Sequence, residues 1–188
     1  MPQTFIDGFR YDRWADRRWC DRLRDLPSLP KATSLLSHLG ATKQVWLGRL
    51  QGEDTSLLEI WPNDSLDEAV DRVTTAGAAM QEYVAAQSRV DLGRDARYQN
   101  SSGVTFDTPV RDILMHVLTH GHYHRGQIAQ HVRAAGHDPV WTDYIAFSRQ
   151  QKKADSGVSS SGRWFVGTMA RWVGGALGRW GVGSVGIS

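Results

Sequence analysis

Apolar residues recur at three- and four-residue steps in four stretches of this chain, the spacing of amphipathic helices. In the first, Tyr11, Ala15, Trp19, Leu23 and Leu26 are separated mostly by Arg and Asp, and Pro27 and Pro30 end the run. The second, from Ala32 to Leu50, places Leu35, Leu36, Leu39, Trp46, Leu47 and Leu50 on one arc, with Gly52 as its stop. The third follows the N-cap candidates Asn63, Asp64 and Ser65. It carries Leu66, Val70, Val73, Gly77, Met80 and Val84 in a heptad-like stripe, so neighbouring helices are expected to lie close at Gly77. The fourth follows Thr108-Pro109 and runs from about Val110 to Ala135, where Gly136 supplies the stop. Between the third and fourth, Val90 to Thr108 reads as a loop with turns at Gly93 and Gly103. Within it Arg97-Tyr98-Gln99 could pair as a short strand.

Four long helices without a clear strand pattern predict an all-α fold, a four-helix bundle over residues 1–150. After Phe147 the composition changes. Residues 150–162 are polar and Ser-rich, and the stretch from Arg163 is rich in Gly and Trp. There RWFVGTMA, RWVGGALG and RWGVGSVG repeat with a period of eight residues. An ideal helix would spiral their tryptophans by about 80° per repeat. Residues 151–188 are therefore expected to be a flexible extension, the rival expectation being a Trp/Arg segment that rests on a membrane surface or a partner.

Composition narrows the function classes. At 188 residues the chain suffices for one domain and a tail, and its net charge of +2 comes from scattered Lys and Arg, so a nucleic-acid partner is not expected. The single cysteine, Cys20, fits a reducing compartment. The charged N-terminus and the lack of 18 consecutive apolar residues lead us to expect a cytoplasmic protein.

Chemistry concentrates in the last helix, where HVLTHGHYHRGQIAQH holds five of the seven histidines. At about 100° per residue, His116, His120, His124, Gln127 and His131 share one stripe bordering the apolar face, and His122 points elsewhere. Side chains four residues apart lie about 5 to 6 Å from one another at Cβ, which suits two imidazoles on one metal ion. His116 and His124 are two turns apart, so the site is either the 116/120 or the 120/124 pair. A third ligand has to come from another helix, and His38, at the apolar edge of the second, is the natural candidate.

On these residues the chain resembles the DinB-like superfamily, bacterial four-helix bundles that include thiol-dependent S-transferases and maleylpyruvate isomerase-like proteins. The resemblance runs from about Phe9 to Arg149 and rests on YDRWADRRW, LLSHLGATKQVWLGRL and ILMHVLTHGHYHRGQIAQHVRAAGHDPVWTDYIAF. HxxxHRGQ followed by RxxG and a TDY segment carries most of it. The resemblance implies metal ligands at His38, His120 and His124, leaves His116 and His131 as core or supporting histidines, and gives Gln127 a hydrogen-bonding role behind a ligand.

Three imidazoles without a thiolate suit zinc, nickel or iron and leave coordination positions open. The resemblance implies an enzyme in which the ion activates a low-molecular-weight thiol or water toward a small electrophilic substrate. The alternative is a metal-binding stress or interaction protein without turnover. HExxH, GxSxG and GxxxxGK[ST] are all absent, which removes the zincin, α/β-hydrolase and P-loop signatures. Cys20 is expected to pack rather than react, and Asp143 and Tyr144 to line a pocket mouth. Apolar edges at Trp14 and Trp19 suggest a homodimer.

Overall fold

The computed structural model describes residues 2–100 and 102–155. Four long helices, α1 (Pro2–Arg24), α2 (Pro30–Gln51), α3 (Leu66–Ala85) and α4 (Val110–Ala134), pack around a shared core. In cross-section each touches two main neighbours, in the cyclic order α1, α3, α2, α4. The all-α bundle expected from the periodicity is the fold that forms, and Met1–Gln151 makes up one compact unit.

The helix ends follow their local chemistry. Ser65 caps α3 in a reciprocal box: its hydroxyl accepts from the Glu68 amide while the Glu68 carboxylate accepts from the Ser65 amide. Pro30 opens α2, where its missing N–H costs nothing. Gly52 and Gly136 take positive φ at the ends of α2 and α4, the left-handed conformation that glycine enters without a Cβ clash.

Three features differ from the expectations. The first helix starts at Pro2 rather than Tyr11, because buried Phe5 and Phe9 extend its stripe by two turns. The expected loop before α4 contains an antiparallel hairpin, β1 (Asp95–Gln99) and β2 (Thr105–Pro109), with Tyr98 opposite Phe106. This pairing is set by cross-strand contacts that a one-strand pattern does not reveal. A fifth helix, α5 (Tyr144–Asp155), follows the four expected, and its Phe147 is buried. The expected extension from residue 156 onward, with its Arg-Trp repeat, lies outside the described residues.

Besides a small cluster of Tyr11, Ala15 and Phe147, the core has two large apolar clusters at opposite ends of the bundle. One gathers Trp19, Leu23, Leu36, Leu39, Val73, Ile128 and Val132. The other gathers Phe9, Leu50, Met80, Val84, Ile113 and Leu114. Trp19 is 1% exposed, and Trp14 is partly covered by Tyr11 and Phe147. Residues 138–142 are laced along α1. Arg22 Nε donates to the Asp138 carbonyl, Arg18 Nε to that of Trp141, and the Tyr11 hydroxyl to that of Thr142. No helix among the described residues is long and apolar enough to cross a membrane.

Candidate metal centre

His38 reaches the groove between α2 and α4 because Leu35, Leu36 and Leu39 turn the rest of its helix face into the core. There it meets His120 and His124, which stand one turn apart on α4. One ring nitrogen from each of the three lies within 4.8 Å of the others. His120 Nε2 sits 3.3 Å from His38 Nε2 and 3.1 Å from His124 Nε2.

The other ring nitrogens explain why these atoms face one another. His38 Nδ1 is 2.8 Å from the Ile60 carbonyl, which can only accept, so the proton is on Nδ1 and Nε2 is bare. His124 Nδ1 donates to Gln127 Oε1 at 2.7 Å, and its Nε2 is likewise bare. At most one proton, on His120, is then left among three converging nitrogens. Burial, followed by the neighbouring His124 and His38, pushes the His120 pKa down to about 3. Burial also lowers that of His38. At neutral pH His38 and His120 therefore keep their electron pairs available.

Such an arrangement fits a cation. Nitrogens about 2.0 to 2.1 Å from a tetrahedral ion stand about 3.3 to 3.4 Å apart, close to the two short separations here. The donor set is all imidazole, so positions remain for further ligands. The resemblance-based trio His38, His120 and His124 is the trio the fold brings together. The site residues fit a divalent metal ion.

The α2–α3 connection closes one side of this centre. Asp64 accepts from Ser37 Oγ and, through both oxygens, from Arg72, which pins the end of the connection to α2 and α3. The preceding Trp61 stacks on the His38 ring at 3.6 Å between centroids, with an interplanar angle of 4°. Trp61 and Ile60 fall in a stretch without periodicity, and nothing in the sequence placed them beside His38.

The other histidines separate from the trio. His116 is exposed rather than in the core, with its ring edge-on to Trp46 and 5.6 Å from His120. His122 stacks on Tyr11. His131 is partly buried, outside the trio. Cys20 is buried and packs in the core as expected, and burial pushes its thiol pKa up to about 12. Asp143 and Tyr144 line a cleft of about 230 Å³ with Tyr11, His122 and Arg125, away from the trio. A cleft of about 750 Å³ along α1 and α3 also touches none of the three histidines.

Arg125, next to His124 in sequence, belongs to a buried charged cluster that joins three helices. Asp12 and Asp16 of α1, Lys43 of α2 and Arg125 of α4 form a quartet in which no residue is more than 3% exposed. Arg125 Nη1 donates to Asp12 at 2.6 Å and to Asp16 at 2.9 Å. Lys43 Nζ contacts Asp12 Oδ2 at 2.6 Å and also bonds Asp16. Two carboxylates and two cations cancel, which is what lets the layer exist between the apolar clusters. Burial raises the Asp12 pKa, but Lys43 and Arg125 outweigh it and hold the carboxyl at about 2. Burial likewise opposes the charge on Lys43, and Asp12 and Asp16 overcome it and raise its pKa. A signal was present: Phe5, Phe9, Asp12, Asp16, Trp19 and Leu23 form one stripe, with two carboxylates where apolar residues belong.

Gly121 makes room for the quartet. A Cβ there would stand 2.7 Å from Asp12 Oδ1 and 3.0 Å from Arg125 Nη1, both fixed by their partners. Gly121→Ala is therefore expected to cost about 1 to 3 kcal/mol, seen as a lower melting temperature. An unchanged melt would mean that the quartet is loose.

The chain is similar to "Protein DinB" of Bacillus subtilis (strain 168), with 26% identity over 152 residues, covering 72% of this chain and 88% of the relative. A family model described as "DinB family" matches residues 1–156, well over half of the 188-residue chain, and the chain accordingly belongs to the DinB family.

Proposed function

We propose that this DinB-family protein is a metal-dependent enzyme in which His38, His120 and His124 hold one divalent ion, zinc, nickel or iron. Its reaction joins a low-molecular-weight thiol or water to a small electrophilic substrate. The observation that carries the reading is the convergence of three imidazole nitrogens, two with their tautomer fixed by acceptors behind them. A site built only to pack would not aim lone pairs at one another. When bound, the ion supplies Lewis acidity that makes a thiol or water nucleophilic at neutral pH. The residues around it do the positioning. The Ile60 carbonyl and Gln127 Oε1 keep the Nδ1 protons in place, and Trp61 excludes water from one face of His38.

The test is a thiol-consumption assay on protein purified without a histidine tag. Loss of a small thiol against an electrophile is followed with a thiol-reactive dye, before and after chelation. The expected result is stoichiometric metal and a rate at least tenfold above that of the chelated protein. Stoichiometric metal with equal rates across a panel of thiols and electrophiles would favour the metal-binding stress or interaction protein instead. Absence of metal would overturn both readings.

A further inference from the structure

Arg49 is a cation whose setting the metal centre does not explain. It stands on α2 eleven residues after His38, three turns along and rotated by only about 20°, so both lie on one helix face. Its guanidinium sits 4.7 Å from the centroid of Trp46 and 5.0 Å from that of Tyr98. Trp46 lies one turn back toward His38. Among the described residues no carboxylate pairs with the guanidinium, and its buried Nε has no acceptor. Burial works against its charge and lowers its pKa. Two aromatic faces thus hold a cation in place and leave it without an anion.

The same side chain lines an open cleft of about 500 Å³ whose other walls include Val45, Leu58, Ile60 and Tyr98. Ile60 belongs to both places, since its carbonyl accepts from His38. A second link runs through rings: Trp46 is 5.1 Å from His116, which is 5.6 Å from His120. Both side chains lean back along α2, the arginine stem further than the imidazole, so the guanidinium lies roughly 10 to 15 Å from the His38 ring. Glu53 and Asp54 also line the cleft, Asp54 accepting from the Ser56 amide, and neither pairs with Arg49. Their charges disfavour a dianion such as a phosphate ester and leave room for a single negative charge at Arg49.

We infer that the Arg49 cleft binds the carboxylate end of an amphipathic monoanion whose apolar stem runs along Val45, Leu58 and Ile60 and whose reactive end reaches the three histidines. This deepens the reading of the metal centre and rests on it for the reactive end only. Arg49 is a specificity-determining residue that anchors substrate at a distance from the chemistry.

Calorimetric titration with a matched pair tests it. The probes are 8-mercaptooctanoate and 8-mercaptooctanol, similar in length and differing in charge. The metal-loaded protein is expected to bind the acid at least tenfold more tightly than the alcohol. Arg49→Met, which keeps the stem over Trp46, should bring the preference below threefold with metal content unchanged. Arg49→Lys should keep part of it. Equal binding of the two probes by the unaltered protein, or a preference that survives Arg49→Met, would overturn the inference. Octanoate against octanol on chelated protein separates the two readings. An Arg49-dependent preference there, in a protein that never holds metal, leaves the anion site standing and removes the metal centre.

Discussion

His38→Ala is expected to release most of the bound metal, although His38 lies 82 residues from His120 in sequence. His120→Ala and His124→Ala should do the same, because two imidazoles on one helix turn cannot replace a third that reaches across from α2. Elemental analysis of tag-free protein reads the result. Gln127→Ala leaves all three nitrogens and removes only the acceptor behind His124 Nδ1, so affinity should fall by about 10- to 100-fold rather than vanish. His122→Ala, whose ring stacks on Tyr11, should keep the metal and serves as the control. Stoichiometric metal in His38→Ala would sink the three-ligand site and leave only a pair on α4. If metal binds the folded state alone, chelation also lowers stability, by about 2.7 kcal/mol at a free metal concentration 100-fold above the dissociation constant. Acid should act on the chelated protein in a definite direction. His120 is held at about 3 in the fold against its ordinary 6.5, so between those values the unfolded chain binds a proton that the fold refuses. Stability is complete above pH 6.5 and falls as pH drops toward 3.

The parts of this molecule that were legible in its sequence are those governed by near neighbours. The four helices could be read from three- and four-residue steps, and their caps from Ser65, Gly52 and Gly136. The pairing on α4 was narrowed by helix geometry to two choices. Spacing alone did not decide between them, since His116 and His124 flank His120 symmetrically. The family resemblance chose 120/124, and the Nε2 atoms of those two lie 3.1 Å apart. What stayed hidden depends on distant chain. The β1–β2 pairing, Trp61 against His38, and the Ile60 carbonyl at Nδ1 all join segments whose local patterns are silent about each other. The charge quartet was hidden differently. Asp12 and Asp16 stand on the apolar stripe of α1, but the partners that neutralise them, Lys43 and Arg125, come from two other helices on which the α1 pattern is silent.

That quartet leads to the largest effect expected on stability. Its four members lie between the two apolar clusters on every helix that supplies them: Asp12 and Asp16 between Phe9 and Trp19, Lys43 between Leu39 and Leu50, Arg125 between Leu114 and Ile128. On α3 the residues between the clusters, Ala76 and Gly77, are small, and a Cβ at Gly77 would stand 3.3 Å from the Arg13 side chain. Lys43→Met fills much the same volume but strands one negative charge, because a single guanidinium then faces two carboxylates. Breaking a buried pair in this way costs about 3 to 5 kcal/mol, which for a unit of this size lowers the melting temperature by roughly 10 °C. Acid separates the charge effect from a packing defect. In the unaltered protein Asp12 is held at about 2, below its ordinary 3.8, so its contribution of about 2 kcal/mol is present above 3.8 and lost as pH falls toward 2. In Lys43→Met the Asp12 carboxyl loses the cation that lowers its pKa, so that pKa rises, and the gap between variant and parent should narrow as pH drops from 7 to 5, whereas a packing defect would leave it constant. A second change, Asp16→Leu, removes the surplus charge and should restore part of the loss at neutral pH. A Lys43→Met melt within about 1 kcal/mol of the parent would mean that water reaches the layer and screens its charges.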